Sequence, residues 1–240
     1  MKKVIVLAIA LVFVMAGLAF ATVVGGQHDL SDSGPLTDST NTNQICVFCH
    51  APHNNYATVK PLWNHTLSGS NFNVYGGTTD PTTSATLDGA AEDFAGSDAL
   101  VSALCLSCHD GTVSVISILA NPVATGAPTV GTGGGTELTA GTYELADAAK
   151  VIGTGGNLYS EHPINIEAGT DADVGLLVVL GEITGAVSGA TYPLFAGTGL
   201  LADTVQCGTC HDAHDNGGAS PFLRATVADS TICLDCHTTK

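Results

Sequence analysis

Every cysteine in this chain stands in a C-x-x-C unit, and every unit is closed by a histidine: Cys46/Cys49/His50, Cys105/Cys108/His109, Cys207/Cys210/His211 and Cys233/Cys236/His237. These units use all 8 cysteines. Nothing else in the sequence constrains folding as strongly, because whatever binds four such units must become part of the interior. The spacing suits haem of the c type: two thiols add to the two vinyl groups on one porphyrin edge, and the adjacent histidine is held under the iron as proximal ligand. Zinc also uses paired C-x-x-C units, but it has no need of a histidine directly after each one. Disulfides, an ordinary use of cysteine in an exported protein, leave the histidines unexplained as well. The expectation is four covalently bound haem c groups.

Composition fits a chain whose interior comes partly from elsewhere. Hydrophobic residues make up 45% of the sequence but aromatics only 5%, and Gly, Thr, Ala and Ser fill long stretches. Four flat apolar macrocycles would supply the burial that Phe, Trp and Tyr do not. The expected fold class is a haem-dominated multihaem cytochrome c, mostly coil with few short helices and some short β-strands. Without haem the chain is not expected to fold, since binding and folding free energy are then one quantity.

The first and third units carry a further histidine three residues on, in CVFCHAPH (Cys46–His53) and CGTCHDAH (Cys207–His214). His50 occupies one porphyrin face, so His53 cannot ligate the same iron from the other. It either stays off iron or reaches a different haem, which would bring two haems close together. His214 stands in the same relation to His211. Five histidines remain after the proximal set: His28, His53, His65, His162 and His214. Four irons need four distal ligands, and an ordinary core or surface role is the alternative for each candidate. Met1 and Met15 lie in the leader, which rules out His/Met ligation in the mature chain. His65 is the expected spare. It sits in PLWNHT beside Trp63, a packing anchor, and within the glycan-acceptor pattern Asn64-His65-Thr66. His28 lies in GGQHDLS, where glycines suit a flexible arm, so its iron could belong to another subunit.

Residues 1–21 read as a signal peptide: two lysines, an apolar run, then Ala19-Phe20-Ala21. Without Lys2 and Lys3 the chain has 4 basic against 22 acidic residues, a formal charge of −18. That balance disfavours nucleic acid and anionic lipid as partners. The most apolar later stretch, VGLLVVLGEITGAV, is short and broken by Glu182, so no membrane span is expected in the mature chain. Export to the cell surface or beyond is expected, with the periplasm as alternative.

The chain contains a repeat. An N-terminal two-haem unit with its ligand arm (22–111) and a C-terminal two-haem unit (201–240) flank a cysteine-free Gly/Thr/Ala-rich segment (112–200) with short strands and His162. The first unit carries an insertion, whose end from about Ser97 should form a short helix leading into Cys105. GTGGGT has no Lys-Ser/Thr after it and is not read as a phosphate loop. The stretch DVGLLVVLGEITGAVSG reads as strands packing over a haem or against a neighbouring subunit.

Taken together, HDLS, CVFCHAPH, PLWNH, CLSCHDG, EHPI, CGTCHDAH and CLDCHTTK resemble the doubled-CxxCH multihaem cytochromes, above all the four-haem outer-surface cytochromes that polymerise into extracellular filaments. The resemblance implies bis-histidine ligation throughout, with His28, His53, His162 and His214 as distal ligands and His65 left over. It also implies a homopolymer with continuously stacked haems, in which one distal ligand comes from the next subunit; His28 is the position onto which that role carries. A monomeric tetrahaem shuttle uses the same ligands with His28 in its own chain. A multihaem reductase would need an iron with an open position, which five candidate ligands for four irons argue against, so no enzyme is expected.

Overall fold

The computed structural model describes residues 23–32, 34, 42–51, 62–77, 93–96, 100–119, 138–139, 142–168, 178–179, 181–199, 201–214 and 222–237. Residues 1–21, read as a signal peptide, His53, the GTGGGT run and much of the insertion in the first unit lie outside them.

Regular structure comes in short pieces. The strands are Asn71–Val74 (β1), Phe94–Ala95 (β2), Asn157–Leu158 (β3), Ile166–Glu167 (β4), Val178–Val179 (β5), Glu182–Thr184 (β6), Thr191–Pro193 (β7) and Thr204–Val205 (β8). The α-helices are Val101–His109 (α1), Cys207–Cys210 (α2) and Thr231–Cys236 (α3). This is the coil-rich outline expected of a chain so rich in Gly and Thr.

β1 is the middle of one small sheet. It pairs antiparallel with β2, Phe72 opposite Phe94, and parallel with β3, Val74 opposite Leu158. Side chains alternate along a strand, so Phe72 and Val74 face inward together and join Phe94, Leu100, Ala103, Leu106 and Leu158 in one buried cluster. Leu100, Ala103 and Leu106 recur at intervals of three and give α1 its buried face. α1 begins at Val101 and runs on through the motif to His109. The Asp110 amide closes on Leu106 O at 3.1 Å, and Gly111 takes the left-handed backbone (φ 71°) that ends a helix without penalty.

A second cluster lies over α3. In the antiparallel β5–β6–β7 sheet, Ile183 opposes Tyr192. Both are buried with Leu194 and Ala225, and Ile232 and Cys236 pack against them. The sheet is also tied down by Asp235, the residue before Cys236. Its buried carboxylate accepts from Val187 N (2.8 Å), Ser188 N (2.7 Å), Ser188 Oγ and the Tyr192 hydroxyl. Only glycine fits at 185, because a Cβ there would stand 2.5 Å from the Asp235 carboxyl carbon. Within the stretch read as strands over a haem or against a neighbouring subunit, the described residues 182–189 pack on the C-terminal attachment helix.

The segment 112–200 distributes its strands over both units: β3 joins β1 of the first, and β4 pairs antiparallel with β8 of the second. The units also meet directly. Ser102 Oγ donates to Gln206 Oε1 at 2.5 Å, and Cys207 N donates to Ser102 Oγ at 3.0 Å, with Ser102 and Gln206 both buried. Gln206 is held in turn by its amide, which donates to Thr204 Oγ (2.9 Å) and Asn165 Oδ1 (3.3 Å).

Candidate haem-binding sites

Each C-x-x-C unit forms a helical turn, which puts the two thiols on one side because residues three apart share a face. Cys46 lies in the 3-10 turn Ile45–Phe48, Cys105 and Cys108 in α1, Cys207 and Cys210 in α2, and Cys233 and Cys236 in α3. In the units outside α1 the histidine amide closes on the carbonyl of the first cysteine: His50 N to Cys46 O at 2.8 Å, His211 N to Cys207 O at 3.0 Å, and His237 N to Cys233 O at 2.8 Å. One local geometry therefore presents two thiols and an imidazole four times.

No disulfide joins any two of the eight cysteines. Burial pushes Cys49 and Cys210 up to about 11, and Cys108 higher still. Among the described residues no group of three or more His, Cys, Asp or Glu side chains is arranged to hold a metal ion directly.

The imidazoles supply the test of fit. An imidazole nitrogen sits about 2.0–2.1 Å from a first-row metal and the ring centre about 1 Å beyond it, so two rings on opposite faces of one ion stand about 6 Å apart. Three pairs meet that requirement: His50 with His214 at 6.0 Å, His28 with His109 at 6.1 Å, and His162 with His237 at 6.3 Å. Each joins a motif histidine to one of the extra histidines, although nothing in the local sequence links them.

Hydrogen bonds agree with the distances. A ligating histidine usually engages its other nitrogen with a carbonyl or carboxylate, which fixes tautomer and orientation. Nδ1 of His109 is 2.8 Å from Lys150 O, Nδ1 of His162 is 3.0 Å from Pro163 O, and Nδ1 of His28 is 3.4 Å from Ala213 O. Nδ1 of His214 faces the Asp212 carboxylate at 3.8 Å. Burial, followed by the neighbouring His109, lowers the His28 pKa; burial chiefly lowers that of His162, helped by His237. Both effects favour the neutral ring, the form that ligates metal.

His65 differs. It is buried (1% exposed), and both ring nitrogens face backbone carbonyls, Nδ1 at 2.8 Å from Thr66 O and Nε2 at 2.9 Å from Ser114 O. Burial lowers its pKa, outweighing the carbonyls that act in the opposite sense. It pins the PLWNHT segment to the chain after α1, and Trp63 packs edge-on to both His65 and His50. Asn64 is buried too, its amide donating to Val47 O at 2.6 Å, so the glycan pattern is occupied by packing.

The arm around His28 is ordered by its own sequence. Buried Asp29 accepts from Gly25 N (2.8 Å), Ser31 N (3.1 Å) and Ser31 Oγ (2.5 Å), folding GGQHDLS into successive turns where flexibility was expected. His28 then stacks on Phe222, ring centres 4.5 Å apart and planes 5° from parallel. His53 lies outside the described residues, and His211 lies close enough to His28 to act on it electrostatically. Asp235, Gln206 and Phe222 carry the architecture around these sites yet stand in no motif that marks them; the one clue is that Asp235 occupies a variable position inside C-x-x-C.

At the junction Cys207 N donates to Ser102 Oγ and Ser102 Oγ donates to Gln206 Oε1, which ties the helix carrying Cys105 to the residues that open the third motif. The attachment turns of the second and third motifs are therefore in contact at the junction held by Ser102 and Gln206.

Residues 201–240 match the family model described as the doubled CXXCH motif. That match supports a multihaem c-type cytochrome with covalently bound haem c and a role in electron transfer. No curated protein matches the chain.

Proposed function

We propose that the chain is an exported tetrahaem c-type cytochrome that carries electrons through bis-histidine haems, acting as the subunit of an extracellular conductive filament. The observation that supports the ligand scheme is the set of three imidazole pairs at 6.0–6.3 Å. Haem I, on Cys46 and Cys49, takes His50 and His214. Haem II, on Cys105 and Cys108, takes His109 and His28. Haem IV, on Cys233 and Cys236, takes His237 and His162. Haem III, on Cys207 and Cys210, takes His211 and, by count, His53. When bound, the groups would supply one-electron chemistry; two histidines for each would leave no open site for a substrate and would favour transfer over catalysis.

The scheme makes haems I and III exchange ligands. His214, three residues after His211, serves haem I, and His53, three residues after His50, serves haem III. Two tethers of three residues then hold the pair close. The bond from Cys207 N to Ser102 Oγ, which joins the second and third attachment turns, supports a second close approach, between haems II and III.

Filament assembly rests on the motif resemblance and must overcome the −18 charge. The apolar stretch 174–189, expected to offer an interface, turns Ile183 into its own chain's core (1% exposed) and leaves Val187 59% exposed. A monomeric shuttle is the second reading, favoured by one observation: His28 is seated against His109 of its own chain. Donation of His28 in trans would require the arm to make the same contact on a neighbouring copy, an exchange of identical elements. Cryo-electron microscopy of haem-staining material sheared from expressing cells separates the readings. Filaments with a continuous haem chain carry the first, and dispersed single particles carry the second.

A further inference from the structure

Phe222 is a non-glycine residue with a left-handed backbone (φ 56°), an uncommon state for a bulky side chain and one that persists only where the surroundings impose it. Here they do. Asp212 N donates to Phe222 O at 2.8 Å, Leu223 forms a bridge with His211, and Arg224 N donates to Cys210 O at 3.0 Å. The Arg224 side chain adds bonds to Gly208 O and Asp212 Oδ2, both at 3.2 Å. The segment is thus fastened to the third attachment motif, and its unusual backbone turns the phenyl ring flat against His28, 4.5 Å away and 5° from parallel. From the other edge Ala213 O faces His28 Nδ1. The result is a His28 ring standing crosswise to His109, with 69° between their planes, whereas His50 and His214 are 15° apart.

We propose that Phe222 is a positioning residue that holds the His28 imidazole crosswise to His109 and so sets the ligand-plane angle at haem II. The inference rests on the His28–His109 pairing given above. Its consequence is electronic. Each imidazole donates π density to the one iron d orbital lying across its own plane. Parallel rings raise the same orbital, split the pair and give ferric low-spin iron a rhombic resonance. Crossed rings raise both orbitals alike, leave them nearly degenerate and give a single feature at large g. Haem II and haem IV, whose rings are 60° apart, belong to the large-g class, and haem I to the rhombic class.

The test is electron paramagnetic resonance of the ferric holoprotein in four forms: wild type, Phe222→Gly, Phe222→Trp and His28→Ala. Glycine accepts the left-handed backbone and deletes only the ring; Phe222→Asn, which also tolerates it, serves if the glycine form does not mature. The expected result is loss or displacement of one large-g component in Phe222→Gly with all irons still low spin, and its return in Phe222→Trp. A Phe222→Gly spectrum superimposable on wild type, with His28→Ala showing one new high-spin iron, overturns the clamp and leaves the pairing intact. Four low-spin irons in His28→Ala would overturn the pairing itself, and the clamp with it.

Discussion

His50 and His214 face each other at 6.0 Å with planes 15° apart, although one belongs to the first haem-attachment motif and the other follows the third. The distance suits two imidazoles on one iron, and on the proposed ligand scheme the near-parallel planes would address the same orbital.

Replacing His214 by alanine is therefore expected to leave all four haems attached, because the thioethers do not depend on it, while one iron in four becomes high spin and binds carbon monoxide. Pyridine haemochrome counts and optical titration with carbon monoxide measure the two effects. A variant that stays entirely low spin would show that His214 ligates no iron.

His65→Phe should do the reverse. The ring faces Thr66 O and Ser114 O but, being neutral, donates to only one of them, so the loss is one hydrogen bond, about 0.5–1.5 kcal/mol. Denaturant unfolding of the holoprotein should show a lower midpoint, with optical and magnetic spectra unchanged. The appearance of a high-spin iron would make His65 a ligand after all.

Asp235 predicts the acid limb of the stability curve. Burial alone would raise its carboxyl, but donors from Ser188, Tyr192 and Val187 outweigh burial and hold it below the ordinary carboxylate range. A carboxyl whose folded pKa is depressed stabilises fully above its unfolded value of about 4, and the stabilisation is lost as pH falls below that. Asp235→Asn should flatten the loss of stability below about pH 4, and Asp235→Ala should cost about 2–3 kcal/mol at neutral pH. Thermal melts of the three forms from pH 7 down to pH 3 decide this; parallel curves for wild type and Asp235→Asn would refute it.

Asn64 should carry no sugar in the folded protein even where glycosylating enzymes are available, since it is fully buried and its amide is bonded to Val47 O. Intact-mass spectrometry of material made in a glycosylating host should give the mass of four haems plus polypeptide. A glycan at Asn64 would mean that the segment is modified before it packs.

The attachment sites were legible in the sequence because their chemistry is local: two thiols and an imidazole on one helical turn need only five residues. His65 was expected to be the spare histidine from its place beside Trp63; in the structure its ring nitrogens face Thr66 O and Ser114 O. The histidine pairs were not legible, because each joins positions far apart and any pairing satisfied the ligand count. Nor was the order of the N-terminal arm, where glycines suggested mobility but Asp29 and Ser31 close a buried turn. The helix before Cys105 was placed correctly in kind, but the described helix starts at Val101 and continues through the motif to His109. The position of Asp235 inside C-x-x-C did not reveal its role, which depends on Val187 and Ser188, dozens of residues earlier, meeting it in space.

The link between His50 and His214 bears on how the molecule comes into being. A chain crossing a membrane N-terminus first delivers the first attachment motif long before His214 emerges. On this ligand scheme haem I stays five-coordinate, exposed to oxidants and stray ligands, until nearly the whole polypeptide has arrived. The two repeats therefore cannot be cut apart into working half-proteins: each half would carry an iron whose missing ligand had left with the other.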